Sequence, residues 1–119
     1  MAAKRILLVE DENDVCNMLT LALRGEGYEV ERADTATRAR QRLKGISYDL
    51  VITDWRLPDG DGLEIADAAA DDGIKTILIS GYLFQIPAER TTRHELLMKP
   101  MRPHELAEAV ERIIGKANE

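Results

Sequence analysis

The sequence predicts an α/β fold: a doubly wound, five-stranded parallel sheet with helices on both faces. Two observations predict it. Short aliphatic runs recur along the chain, and amphipathic segments separate them.

The runs Ile6 to Val9, Leu50 to Thr53 and Thr76 to Ile79 are continuously apolar or β-branched, as strands covered on both faces are, so they are expected at the centre of the sheet. Tyr28-Glu29-Val30 is read as a further strand, and Leu96-Leu97-Met98 as a weaker fifth. Between the first two runs, Val15, Leu19, Ala22 and Leu23 fall at helical spacing, and Gly25 and Gly27 close the segment. Asp34 or Thr35 can cap a second helix with Ala36, Ala39 and Leu43 on its apolar side and Gly45 at its end. Leu63, Ala66 and Ala69 or Ala70 mark a third, ended by Gly73. Pro103 opens the last, where its missing N–H is harmless, and Leu106, Val110, Ile113 and Ile114 share one stripe. Tyr82 to Arg93 has Pro87 within it and no clear stripe, and is expected to form a short, irregular fourth helix. Alternating strands and helices imply right-handed crossovers.

At 119 residues the chain suits one domain, expected over residues 1–119. Apolar residues at 45% and charged residues at 32% give a globular balance. The net charge of −6 argues against nucleic acid or an anionic membrane as a direct partner, because the attraction that would hold the chain there is absent. Cys16 is the sole cysteine, which excludes an internal disulfide and suits a reducing compartment. Ile6 to Val9 is far too short for a signal-peptide core or membrane span, so a cytoplasmic location is expected.

In open α/β sheets the site lies beyond the carboxyl ends of the strands. Read there, the first run ends in Glu10-Asp11, the third in Asp54, the fourth in Ser80 and the fifth in Lys99-Pro100. Two carboxylates about 4 Å apart repel by roughly 4 kcal/mol at an effective dielectric of 20, so converging acids need positive charge beside them. Hard oxygen ligands with room for water suit Mg²⁺, and Lys99 supplies a second positive charge. A carboxylate nucleophile beside a metal, an ammonium and a hydroxyl has the parts of a phosphoryl-transfer site.

These residues, Ile-Leu-Leu-Val-Glu10-Asp11-Glu12, Asp49-Leu-Val-Ile-Thr-Asp54-Trp-Arg-Leu-Pro58-Asp-Gly-Asp61-Gly62, Ile-Leu-Ile-Ser80-Gly81 and Lys99-Pro100, resemble the response-regulator receiver domain of two-component signalling. The resemblance covers essentially the whole chain and implies a flavodoxin-like strand order 2-1-3-4-5. It implies that Asp54 accepts a phosphoryl group, that Glu10 and Asp11 hold Mg²⁺ together with Asp54 and the backbone carbonyl of Arg56, and that Lys99 contacts the acyl phosphate. Ser80 would move to hydrogen-bond the phosphoryl group, Gly81 would leave it room, and Pro100 would follow a cis peptide. Arg56 and Tyr82 stand where the family flanks the path of the attacking water. The implied partners are a histidine kinase or histidine phosphotransfer protein and a downstream protein target, in a phosphorelay where a stand-alone receiver catalyses only its own phosphorylation and dephosphorylation.

Two features depart from the family pattern. Leu96 stands where an aromatic is common, and the stretch from Ser80 to Lys99 is short. The rival readings are a degenerate receiver that acts unphosphorylated as a binding module, and a small aspartyl-phosphate phosphatase, which would need a second aspartate where Arg56 sits. A calcium loop at Asp59-Gly60-Asp61-Gly62-Leu63 is rejected, because Ala70 occupies the position of the bidentate Glu. His94 and His104 are read as surface residues, Arg38, Arg40, Arg42 and Lys44 as a solvated helix surface, and Cys16 and Met18 as filling at the edge of the core. Met18 and Met101 are also candidates for an apolar docking patch beside the site.

Overall fold

The sheet is parallel throughout, in a computed structural model that describes residues 2–119. Its strands are β1 (Arg5–Val9), β2 (Glu29–Ala33), β3 (Leu50–Asp54), β6 (Lys75–Ser80) and β7 (Glu95–Met98), ordered β2-β1-β3-β6-β7. Two short strands, β4 (Arg56–Leu57) and β5 (Gly60–Asp61), pair with each other as a small antiparallel ribbon after β3. With that ribbon set aside, the order is the expected 2-1-3-4-5.

The helices are α1 (Asn13–Gly25), α2 (Ala36–Gly45), α3 (Gly62–Asp71) and α4 (Pro103–Ile114). Strand side chains alternate between the two faces of the sheet. Ile6, Leu8, Ile52 and Ile77 meet Leu19 and Leu23 of α1 and Leu106 and Val110 of α4. Leu7, Val9 and Val51 meet Ala36 and Ala39 of α2 and Ile65 and Ala69 of α3. Ala69 therefore holds the core position that the sequence left open between Ala69 and Ala70.

Local chemistry sets the helix ends. The Thr35 hydroxyl accepts from the Arg38 amide at 3.1 Å and caps α2, and the Asp61 carboxylate accepts from the Leu63 amide at 2.8 Å and caps α3. Asp59 reinforces α2 from outside, its carboxylate accepting from the Ala36 amide at 2.7 Å and the Thr37 amide at 3.0 Å. Gly27 and Gly73 take positive φ at 96° and 80° just past α1 and α3, the backbone that only glycine adopts without strain.

Three expectations need correction. Tyr82 to Arg93 forms no fourth helix of the α type; it makes two 3₁₀ turns, Leu83–Gln85 and Ala88–Arg90, on either side of Pro87, whose ring fixes φ and whose nitrogen cannot donate. His94 is buried rather than at the surface, because Thr76 and Asp67 satisfy both of its ring nitrogens: Nδ1 lies 2.5 Å from the Thr76 hydroxyl and Nε2 lies 2.7 Å from Asp67 Oδ1. A carboxylate only accepts, so Nε2 donates to Asp67, while Nδ1 and the Thr76 hydroxyl share the second bond. Met18 is 45% exposed and does not fill the core edge, for its side chain is open to solvent while Cys16 and Leu19 of the same helix are buried.

Candidate functional site

The parallel register brings the chemistry-bearing residues to one edge of the sheet. Val9 pairs with Thr53, Asp54 with Ile79, and Ser80 with Met98, so Glu10, Asp54, Ser80 and Lys99 all emerge at the same end of adjacent strands. The Lys99 ammonium lies 3.1 Å from Glu10 Oε1 and 2.8 and 2.9 Å from the two Asp54 oxygens. Carboxylate oxygens of Glu10, Asp11 and Asp54 fall within 4.8 Å of one another, with Glu10 and Asp54 buried and Asp11 exposed. The Lys99–Pro100 peptide is cis.

Burial, and then the hydrogen bond shared with Glu10, push Asp54 up to about 8, and Lys99 offsets only part of that. Burial raises Glu10 as well, but its bonds with Asp54 and Lys99, the Lys99 charge and the Glu12 amide outweigh it and hold that carboxyl below its usual range. Burial would lower Lys99, yet its two carboxylate partners raise it. One ammonium thus leaves the cluster short of positive charge. Three carboxylate oxygens this close, one of them open to water, fit a hard divalent ion that keeps part of its water shell, and their surplus negative charge is what such an ion would neutralise.

Asp11, Asp54, Arg56, Gly81, Tyr82 and Lys99 line a cleft of about 510 Å³. A Cβ at Gly81 would meet only Lys99 Cβ, at 4.0 Å, so the protein itself does not demand glycine there, and the free space belongs to the cleft. The Ser80 hydroxyl is buried and accepts from the Tyr82 amide at 2.9 Å. The Arg56 side chain lies over the Trp55 and Tyr82 rings, at 4.9 and 5.0 Å from their centroids. Val15, Met18, Leu19, Ile79, Pro100 and Met101 line an adjoining groove of about 390 Å³, so the two methionines singled out in the sequence do share one apolar patch. Asp11 is not spent on capping α1: the cap residue is Glu12, and no side chain caps that helix.

One residue of the site had no assigned role in the sequence reading. Gly62 opens α3 against the acidic strand end: a Cβ there would stand 1.6 Å from the Asp54 carbonyl oxygen, and its amide donates to the Trp55 carbonyl at 2.6 Å. The Asp-Gly pairs after Asp54 carried that signal, since a glycine without a turn to make marks a close backbone approach.

The model of the response regulator receiver domain matches residues 6–111. The chain belongs to that family. The receiver is 32% identical over 116 residues to the response regulator receiver protein CpdR of Brucella abortus, covering 93% of this chain and 97% of that one. Among solved structures it is similar to the response regulator TrrA of Thermotoga maritima, in complex with Mg²⁺-BeF, at 32% identity and a TM-score of 0.83 over 92% of this chain and 98% of that one. It is also similar to the receiver domain of a sensor histidine kinase from Pseudomonas aeruginosa PAO1, with a magnesium ion coordinated in its active-site cleft, at 27% identity and a TM-score of 0.84 over 97% and 100% of the two chains. No helix among the receiver's described residues is long and apolar enough to cross a membrane.

Proposed function

We propose that this receiver, taken as one unit over residues 1–119, accepts a phosphoryl group from a phosphohistidine onto Asp54 and signals by protein contact. The observation that carries the reading is the Asp54 carboxylate, buried at the end of β3 with the Lys99 ammonium on both of its oxygens and the Glu10 and Asp11 carboxylates beside it. The Mg²⁺ present in two similar structures supports the same use of the acidic cluster here.

In the transfer, an Asp54 oxygen attacks phosphorus, the bond from phosphorus to the donor's imidazole nitrogen breaks, and the imidazole leaves with a proton from solvent. Glu10, Asp11, Asp54 and the Arg56 carbonyl would hold the metal, whose chemistry is to draw charge from the phosphoryl oxygens. Lys99 already spans Glu10 and Asp54, so it neutralises the acceptor before transfer and the acyl phosphate afterwards. Ser80 would exchange its bond from the Tyr82 amide for one to the phosphoryl group. The groove at Met18, Pro100 and Met101 adjoins the acceptor and suits the apolar flank of a histidine kinase or phosphotransfer protein that presents the donor. The net charge of −6 disfavours nucleic acid as the direct target, which leaves a protein. Receiver domains are not enzymes in the turnover sense, and this one would process only its own phosphoryl group.

Intact-mass measurement after incubation with acetyl phosphate and Mg²⁺ tests the reading. One phosphoryl adduct is expected, absent from Asp54→Asn and greatly reduced when a chelator removes the metal. No adduct, or one that persists in Asp54→Asn, would overturn the assignment.

A further inference from the structure

Lys99 is committed to Glu10 and Asp54, which leaves Arg56 as the other cation lining the acceptor cleft. Most arginines of the described surface hold a carboxylate: Arg38 pairs with Asp34, Arg40 with Glu64, Arg42 with Glu31 and Arg112 with Glu95. Arg56 pairs with none. Its partners are neutral, two aromatic faces and the Gln85 side-chain carbonyl, to which Nη2 donates at 3.1 Å. A guanidinium has five N–H donors in a planar fork suited to phosphate, so most of its donors here are uncommitted.

The neutral partners are placed to matter. Trp55 packs against Leu63, Leu78 and Ile86 and forms a fixed platform. Tyr82 and Gln85 bracket the first 3₁₀ turn, where the Gln85 amide donates to the Tyr82 carbonyl at 2.9 Å. The Ser80 hydroxyl holds the Tyr82 amide. Two residues at the acceptor, Ser80 and Arg56, therefore restrain the same short turn, which occupies the place of a fourth helix and carries Phe84, 82% exposed, in its middle.

We propose that the Arg56 side chain is a ligand of the phosphoryl group on Asp54, and that taking up this role releases Gln85 and frees the Tyr82–Gln85 turn to engage a target. The inference rests on Asp54 being the acceptor. A phosphoryl group adds roughly two negative charges to the cleft, and charge-assisted hydrogen bonds are about twice as strong as neutral ones. An arginine held by an amide and two rings is thus drawn toward the new anion, whereas one already paired with a carboxylate would have less to gain. With Leu96 in place of an aromatic, this route carries the signal through Arg56 and Gln85 instead.

Hydrogen–deuterium exchange across residues 82–90, with acetyl phosphate and Mg²⁺ present or absent, tests it on the whole chain. Wild type should exchange about fivefold faster in this stretch once phosphorylated, the factor that one hydrogen bond of modest net strength carries. Gln85→Ala removes the tether, so its stretch should exchange fast without the donor and rise no further. Gln85→Glu offers Arg56 a charged partner, so its stretch should start slow and respond less than wild type. Both variants should still take up the phosphoryl group, because Gln85 does not touch the acceptor. An adduct on Asp54 that leaves exchange unchanged, or a Gln85→Ala profile equal to wild type, overturns this inference alone. A wild type that takes up no phosphoryl group overturns the acceptor assignment and this inference together.

Discussion

The acceptor end of the sheet and the flank from Tyr82 to His94 are built on different principles. At the acceptor, backbone register does the placing: four adjacent parallel strands deliver Glu10, Asp54, Ser80 and Lys99 to one edge, and each side chain has only to extend from a strand end. The flank has almost no regular ladder and is pinned by a few side chains instead. Ile86 is buried against Leu63 and Leu78, His94 bridges Thr76 and Asp67, and Arg90 and Arg93 reach Asp67 and Asp71 across the surface. A site set by register is hard to move, while a segment held by pegs can be released one peg at a time. That is the division a switch needs between the part that does chemistry and the part that reports it.

The sharpest way to break the comparison is to attack the backbone under the acceptor. Gly62→Ala forces a Cβ to within 1.6 Å of the Asp54 carbonyl oxygen, and backbone atoms cannot swing aside as a flexible side chain would. We expect a loss of about 3 kcal/mol, read as a lowered urea midpoint, with adduct formation falling alongside it. If Gly62→Ala unfolds at the wild-type midpoint, the close approach is not what fixes the strand end.

His94→Ala tests the flank. It leaves the Thr76 hydroxyl without its ring partner and Asp67 without one of three donors, and it opens a space beside β6. The expected loss is about 2 kcal/mol, while the rate of adduct formation at Asp54 should stay within about twofold of wild type because no ring contact reaches the acceptor. A large fall in that rate would join the two regions and end the distinction. Arg90→Ala removes only an exposed pair with Asp67 and should cost about 0.5 kcal/mol or less.

The same contrast explains what was legible in the sequence. Ile6 to Val9, Leu50 to Thr53 and Thr76 to Ile79 announce central parallel strands because burial on both faces demands apolar residues at consecutive positions, and once the strands are placed, the residues that follow them are the site. The flank has no such grammar. His94 sits between Arg93 and Glu95 in a polar stretch, and the partners that make it a core residue lie 18 and 27 positions away. Pro87 signalled an irregular helix, but two 3₁₀ turns are fixed by Ile86 finding Leu63 and Leu78, which local pattern does not show. Met18 falls at a spacing that suits the apolar stripe, yet it lies beside the acceptor groove rather than under the sheet.

The last effect concerns the loop that follows the acceptor strand, and pH exposes it. Asp59, carried on the ribbon that follows the acceptor strand, is pushed down to about 2 by the hydrogen bond from the Thr37 hydroxyl and then by those from the Ala36 and Thr37 amides. In the unfolded chain it would titrate near its ordinary 3.8. A carboxyl whose folded value lies below its unfolded value contributes stability that is fully present above the unfolded value and is lost as pH falls through the folded one. Asp59→Asn should therefore lie below wild type at near-neutral pH, with the gap closing as pH falls from about 4 toward about 2, in urea midpoints taken along that series. A gap that stays constant with pH would mean that the contact with the start of α2 acts through shape rather than charge. In that case the ribbon belongs with the pegged flank, not with the electrostatics of the acceptor end.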